Sequence, residues 1–319
     1  MRQAPIFLGA VALSVFSFGV GPDMAGLAQG TQRTFETPEA GVAALVDAAR
    51  KNDQAALESI LGPGSREVVS SGDAVADAAA RDDFLAAYDA KSNLVGVNDN
   101  TRALQIGDSD WPLPIPLVRE GSMWRFDTEA GRDELINRRI GRNELNAIEA
   151  ALAFVDAEQD YASEDRDGDM ILEYAQRFVS MAGMKDGLFW PTQAGEEDSP
   201  LGPLFTEARA EGYQLETAAP GSGYYGYRYK ILTSQGPAGL GGAYDYIVNG
   251  NMIAGVGLVA YPVQYGVSGI ASFIVNHDGV VYQKDLGQDT AMVAGAMTVF
   301  NPDDTWQPVA VEIPVAVVP

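Results

Sequence analysis

The chain has no cysteine, a single histidine, and only 21 lysines and arginines against 44 acids. Each shortage removes a class of function. Without cysteine there is no disulfide framework, so the fold rests on a core large enough to be stable unaided, which 319 residues can supply. One imidazole makes no zinc site unless several carboxylates are patterned around it, and none are patterned around His277. The net charge of −23 makes nucleic acid and anionic lipid surfaces poor partners. It leaves cations, basic proteins and neutral polymers, and acidity of this kind also keeps an exported protein soluble. There is no phosphate loop, dinucleotide fingerprint, Ser-x-x-Lys or Gly-x-Ser-x-Gly elbow, and Gly266-Val267-Ser268-Gly269 is one residue short of the last. No catalytic residue is assigned, and the reading leans away from an enzyme.

Hydrophobic runs of spanning length are missing too. The most apolar segment, Ile6 to Val20, covers about fifteen residues, short of the roughly 20 needed to cross hydrocarbon. Arg2 gives it a positive start, and Gly26-Leu27-Ala28 places small residues where signal peptidase reads them. Residues 1–28 are therefore expected to be a signal peptide cleaved after Ala28. No cysteine stands near that point for a lipid anchor, and no transmembrane segment remains after cleavage. The expected location is periplasmic or secreted, in a Gram-negative bacterium.

The rest of the chain reads as α+β in two parts. In 29–130, Thr37-Pro38-Glu39 is a helix start, with a capping hydroxyl, proline at the first helical position and an acid in the first turn. Asp53 caps a second short helix that Gly62-Pro63-Gly64 ends, and Ala78 to Lys91 forms a third. Short β-like runs follow at Leu104–Ile106, Ile115–Val118 and Met123–Phe126, the last two as a hairpin. Helices followed by a curled sheet are similar to the cone-shaped nuclear-transport-factor-2-like domains.

Residues 131–319 form a helix plus an antiparallel β domain. The helix is expected to break near Gly141, with Asn143 capping its second part and Leu145, Ile148, Leu152 and Val155 forming a buried stripe. A loop-rich stretch runs from Tyr161 to about Gly223. Strands follow at Tyr225–Ile231 and Met252–Ala260, then a hairpin of Ser268–Val275 and Val280–Lys284 across Asn276-His277-Asp278-Gly279, whose Asp-Gly pair is the turn.

The sharpest chemical motif is Asp165-Arg166-Asp167-Gly168-Asp169. Carboxylates at alternate positions of a turn converge on one hard cation, and the spacing resembles the opening of an EF-hand-type calcium loop. Met170 stands where that loop has glycine, and Gln176 where it has a bidentate glutamate. Glu173 supplies a substitute carboxylate. The candidate metal ligands are therefore Asp165, Asp167, Asp169 and Glu173, with calcium as the ion; the plain alternative is a solvated acidic turn. No organic cofactor is assigned. His277 reads as a turn residue. Asp108, Asp110, Glu196 and Glu197 lie near Trp111 and Trp190, the composition of a carboxylate-pair hydrolase, though acids and aromatics meet by chance in so acidic a chain. Tyr224–Tyr229 with Tyr244, Tyr246, Tyr261 and Tyr265 suit either an aromatic face for a partner or glycan, or a sheet face covered by loops.

Pro38-Glu39-Ala40-Gly41, Leu61-Gly62-Pro63-Gly64-Ser65, Asp110-Trp111-Pro112-Leu113-Pro114-Ile115-Pro116, Trp124-Arg125-Phe126-Asp127-Thr128, Asn249-Gly250 and Val275–Tyr282 form a set of segments. Together they resemble a secreted bacterial family known as domain of unknown function 2950. The resemblance implies export and a shared fold, and it assigns no activity. The second half is also similar to the globular heads of type IV pilins and pseudopilins: a helix ending near Tyr161, a Tyr174-Ala175 helical turn, then strands with Ala260-Tyr261-Pro262 and Phe273-x-Val275-Asn276. That likeness implies protein binding or assembly with an envelope partner. The competing reading is small-ligand or glycan binding, or carboxylate-based hydrolysis, in a pocket of the N-terminal part.

Overall fold

The computed structural model describes residues 32–193, 195–217 and 222–309, so the leader expected at Met1–Ala28 lies outside the described residues. The helix starts are where local chemistry puts them. Thr37 caps α1 (Pro38–Arg50), its hydroxyl accepting from Ala40 N–H at 3.2 Å. Asp53 caps α2 (Gln54–Leu61) in the same way at 2.9 Å, and Gly62 ends it at φ +83°. A single turn, α3 (Arg66–Val69), leads to α4 (Ala74–Ala90).

The sheet of this half is made of β1 (Ser92–Asn98), β2 (Thr101–Ile106), β3 (Trp111–Pro112), β4 (Leu117–Glu120) and β5 (Met123–Phe126). The order is β1-β2-β4-β5, with β3 on β2, and all pairs are antiparallel. One face buries Leu104, Ile106, Leu117 and Phe126 against Val42, Leu45 and Ile60. The space a cone-shaped sheet encloses is occupied here by Leu104, Ile115, Leu117, Trp124 and Phe126, so the pocket needed for ligand binding or hydrolysis in this half is filled with side chains.

The long helix corrects one expectation. α5 (Thr128–Tyr161) runs 34 residues without a break at Gly141, and Asn143 lies inside it. Rather than capping, the buried Asn143 amide donates to Ser268 C=O at 2.9 Å, a contact 125 residues away in sequence. Leu145 faces outward, 63 % exposed. The inward line is Ile136, Ile140, Asn143, Ala147, Ala151 and Phe154, which keeps three-four spacing and uses small residues where the helix crosses the second sheet.

The stretch after α5, read as loop, contains one helix, α6 (Gly202–Ala210), with proline in its first turn. Beyond it lie β6 (Tyr227–Leu232), β7 (Ser234–Gln235), β8 (Tyr244–Asp245), β9 (Ile247–Val248), β10 (Asn251–Met252), β11 (Gly257–Pro262), β12 (Ala271–Asn276), β13 (Tyr282–Asp285), α7 (Thr290–Ala296), β14 (Val299–Phe300) and β15 (Gln307–Pro308). The main sheet is antiparallel in the order β15-β13-β12-β11-β6. β9 and β10 form a small hairpin, and β14-β7-β8 a ribbon with one parallel pair. The strand expected at Met252–Ala260 is two strands, because Gly255 at φ +154° breaks it where its backbone meets the His277 ring. Tyr174, expected in a helical turn, instead bridges to Met252. The β12–β13 hairpin forms as expected, with Gly279 at φ +78°.

Every residue of β11 is buried, because apolar clusters cover both faces of this sheet. Phe273 and Val275 face α5 on one side; Val259, Ile274, Phe300 and Trp306 fill the other. Besides α5, the two halves share a polar clasp at Asp73, the cap of α4. Its side chain accepts from Val75 and Ala76 N–H, from the Tyr213 hydroxyl at 3.0 Å, and from Gly226 N–H at 2.9 Å. Among the described residues no helix is long and apolar enough to cross a membrane.

Candidate functional site

The acidic turn begins where α5 stops. Tyr161 is buried and donates its hydroxyl to Lys185 C=O at 2.8 Å, anchoring the helix end. Burial, reinforced by Asp167, Glu173 and Asp186, pushes that hydroxyl's pKa up. The chain then alternates. Arg166 turns inward over the Trp190 ring at 6.0 Å and pairs with Asp160 and Glu164, while Asp165, Asp167 and Asp169 turn outward.

Backbone N–H groups hold these three side chains. Asp165 accepts from Gly168 at 2.7 Å and Met170 at 2.9 Å, Asp167 from Asp169 at 3.2 Å, and Asp169 from Ile171 at 2.8 Å. One carboxylate oxygen from each lies within 4.8 Å of the others. Met170, at the position where a calcium loop has glycine, takes the left-handed conformation itself, φ +71°, with its side chain 91 % exposed. At that position the turn is made without glycine, while Gly168 two residues earlier is left-handed as well, at φ +85°.

Glu173 is placed from another direction. Its carboxylate accepts from Met252 N–H at 3.0 Å, and Tyr174 N–H donates to Met252 C=O at 2.9 Å, so the end of the loop docks on β10. Burial raises the Glu173 pKa first, then the charges of Asp167 and Asp169 and a hydrogen bond with Asp167 raise it further. Glu173 therefore stands beside Asp167 without being one of the three that converge. Gln176, at the position of the missing bidentate glutamate, donates to Gly250 C=O at 2.7 Å and serves docking. A cleft of about 210 Å³ opens here, lined by Tyr161, Asp167, Glu173, Tyr174, Arg177 and Asp186.

Two participants gave no local signal. Asn251 donates to Asp169 at 3.0 Å from 82 residues away. Glu158, one turn before the end of α5, is fully buried; one oxygen accepts from Ala175 N–H at 2.8 Å and the other has no partner among the described residues. Burial raises its pKa well above the ordinary glutamate value.

The other candidates do not assemble. Asp110 is paired with Lys91 at 2.8 Å, Glu196 accepts from Gln193 N–H, and Trp190 is buried under Arg166 and Lys185. The Ser268 hydroxyl is buried and bonded to the Gln264 backbone. His277 sits between the Tyr174 and Tyr246 rings, with Nδ1 at 3.4 Å from the Val256 backbone. Tyr224, Tyr227, Tyr246 and Tyr261 are buried, so these tyrosines are core and not an exposed aromatic face.

A family model described as "Protein of unknown function (DUF2950)" matches residues 32–309. The chain belongs to this family. The match spans both halves, from the cap of α1 to the end of β15, so the acidic turn and the clasp at Asp73 lie within the family's own fold. No curated protein and no solved structure matches the chain. The likenesses to pilin heads and to nuclear-transport-factor-2-like cones therefore rest on the sequence alone.

Proposed function

We propose that this member of the DUF2950 family is an exported, non-catalytic protein of the cell envelope, in which the Asp165–Glu173 loop takes a calcium ion and a second envelope component is bound. The observation that carries the calcium reading is the convergence of Asp165, Asp167 and Asp169 within 4.8 Å, with Glu173 docked beside Asp167. Like charges this close repel, and a hard divalent cation with oxygen ligands offsets that repulsion. Asn251 and the Glu173–Met252 bond tie the loop to the β9–β10 hairpin, so an ion held here would fasten the end of α5 to that hairpin.

Export is supported by the apolar leader, whose length and flanks suit signal peptidase. Binding in place of catalysis is supported by the internal hydrogen bonding of His277 and Ser268. Isothermal titration with calcium is expected to give one site and a rise in melting temperature, both abolished in the Asp167→Asn variant. A flat titration with an unchanged melting curve removes the calcium reading. Cell fractionation with N-terminal sequencing tests export: a cytosolic chain still starting at Met1 overturns it. A pull-down from periplasmic extract is expected to recover a partner through the mature chain.

A further inference from the structure

We propose that Asn249 is a self-modification site: in the folded chain its side-chain amide closes on Gly250 and is converted to aspartate and isoaspartate, which loosens the β9–β10 hairpin from the acidic turn. The reaction needs a backbone nitrogen able to reach the side-chain carbonyl carbon of the residue before it, and glycine, having no Cβ, obstructs that approach least. The sequence places an aspartate or asparagine directly before glycine four times, at Asp167-Gly168, Asp186-Gly187, Asn249-Gly250 and Asp278-Gly279. Of these, Asn249 alone carries an amide, which is a better electrophile than an ionised carboxylate and can release ammonia.

The structure separates the four pairs in the same direction. Gly168 N–H is held by the Asp165 carboxylate at 2.7 Å, and Gly279 N–H by Asn276 C=O at 2.9 Å, so neither nitrogen is free to attack. The Asp186 carboxylate accepts from Met181 N–H at 2.9 Å and pairs with Arg177 at 3.3 Å, which fixes it away from its own backbone. Among the described residues, neither the Asn249 side chain nor the Gly250 N–H has a hydrogen-bond partner, and both residues are exposed. They are the two turn residues of the hairpin, at φ +55° and +101°, and each flanking strand is only two residues long, so little pairing opposes the local movement that ring closure requires.

The steps balance with water as the only co-reactant. The Gly250 nitrogen bonds to Cγ of Asn249, the Cγ–Nδ2 bond breaks, and the proton lost by that nitrogen leaves with the amide as ammonia. Water then opens the cyclic imide at the side-chain carbonyl to give aspartate, or at the main-chain carbonyl to give isoaspartate. Isoaspartate routes the main chain through Cβ and so lengthens the turn, and turn length sets the register in which Val248 faces Asn251. That hairpin is what the acidic turn rests on: Gly250 C=O accepts from Gln176, Asn251 donates to Asp169, and Met252 meets Glu173 and Tyr174. The product also brings a new negative charge to a hairpin docked on Asp169 and Glu173, where like charges repel. None of this needs an ion in the loop.

Incubating the full, folded chain in mildly alkaline buffer and mapping its peptides by mass spectrometry, with fragmentation that separates aspartate from isoaspartate, tests the site. Asn249 is expected to convert at least tenfold faster than any other asparagine, with isoaspartate among the products. In the Asn249→Gln variant, whose longer side chain does not close the same ring, the fast conversion is expected to vanish while the remaining asparagines behave as before. An Asn249 that stays intact in the folded chain and converts only after unfolding in urea overturns the proposal, as does a faster reaction at another asparagine. The converted chain, separated by anion exchange on its added charge, is expected to exchange the Tyr174 and Met252 amide hydrogens at least tenfold faster than the parent. Unchanged exchange at both amides overturns the loosening of the hairpin.

Discussion

The two sheets of this protein solve the same burial problem in opposite ways. The N-terminal sheet is one-faced: α1 and α2 cover one side, the other meets water, and β2 reads as alternating half-buried and buried positions. The C-terminal sheet is two-faced: α5 and its neighbours lie on one side, α7, β14 and Trp306 on the other, and β11 is buried throughout. A one-faced sheet leaves one of its faces to solvent. The two-faced sheet meets water at its edge strands and loops, and the acidic turn is one of those loops. Position relative to the core thus divides the molecule into a half whose sheet faces solvent on one side and a half that carries the candidate ion site.

Truncating a side chain in each sheet breaks the comparison most sharply. Phe273→Ala, between β12 and α5, is expected to cost about 4 kcal/mol in urea unfolding. Val95→Ala, on the solvent face of β1, is expected to cost less than about 0.5 kcal/mol. Equal losses would show that the first sheet is covered after all.

The clasp between the halves comes next. Asp73→Ala removes the α4 cap and leaves the Tyr213 hydroxyl and Gly226 N–H without their acceptor, for an expected loss of about 3 kcal/mol. Calorimetry should then resolve separate transitions for the two halves. A single transition with a loss under about 1 kcal/mol would mean that α5 alone couples them.

Glu158 sharpens the comparison through pH. Burial holds its folded pKa above the unfolded value, so between the two the folded chain keeps a proton that the unfolded chain has released. Stability from this residue is therefore greatest below the unfolded pKa, falls as pH rises through that window, and is level above it. Glu158→Gln keeps the shape without that cost. It is expected to raise the melting temperature at pH 8 and to change nothing near pH 4. A variant less stable than the parent at pH 8 would show that the carboxyl has a partner the fold needs.

Legibility followed sequence separation. The caps at Thr37 and Asp53, the stop at Gly62 and the Asp278-Gly279 turn are local chemistry, and all are found as read. β1 escaped notice because serine, asparagine and glycine have little strand propensity; it is a strand because β2 and Leu94's contact with the core make it one. The expected break at Gly141 failed for a related reason. Glycine costs a helix about 1 kcal/mol, less than α5 gains by packing against the second sheet. At the candidate site, the alternate aspartates were visible as a pattern, whereas Met170 in a left-handed turn and Gln176 as a docking residue were not.

The sequence alone determined the α+β class, the family, the starts of α1 and α2 and the alternation that turns Asp165, Asp167 and Asp169 to one side, because each depends on residues a few positions apart. Only the tertiary structure decided that Asn251 meets Asp169, that Asp73 holds Gly226, that Glu158 is sealed from water and that Ser92–Asn98 pairs with β2 as a strand. Those contacts join residues far apart along the chain, and which of them meet depends on how the two cores close around α5.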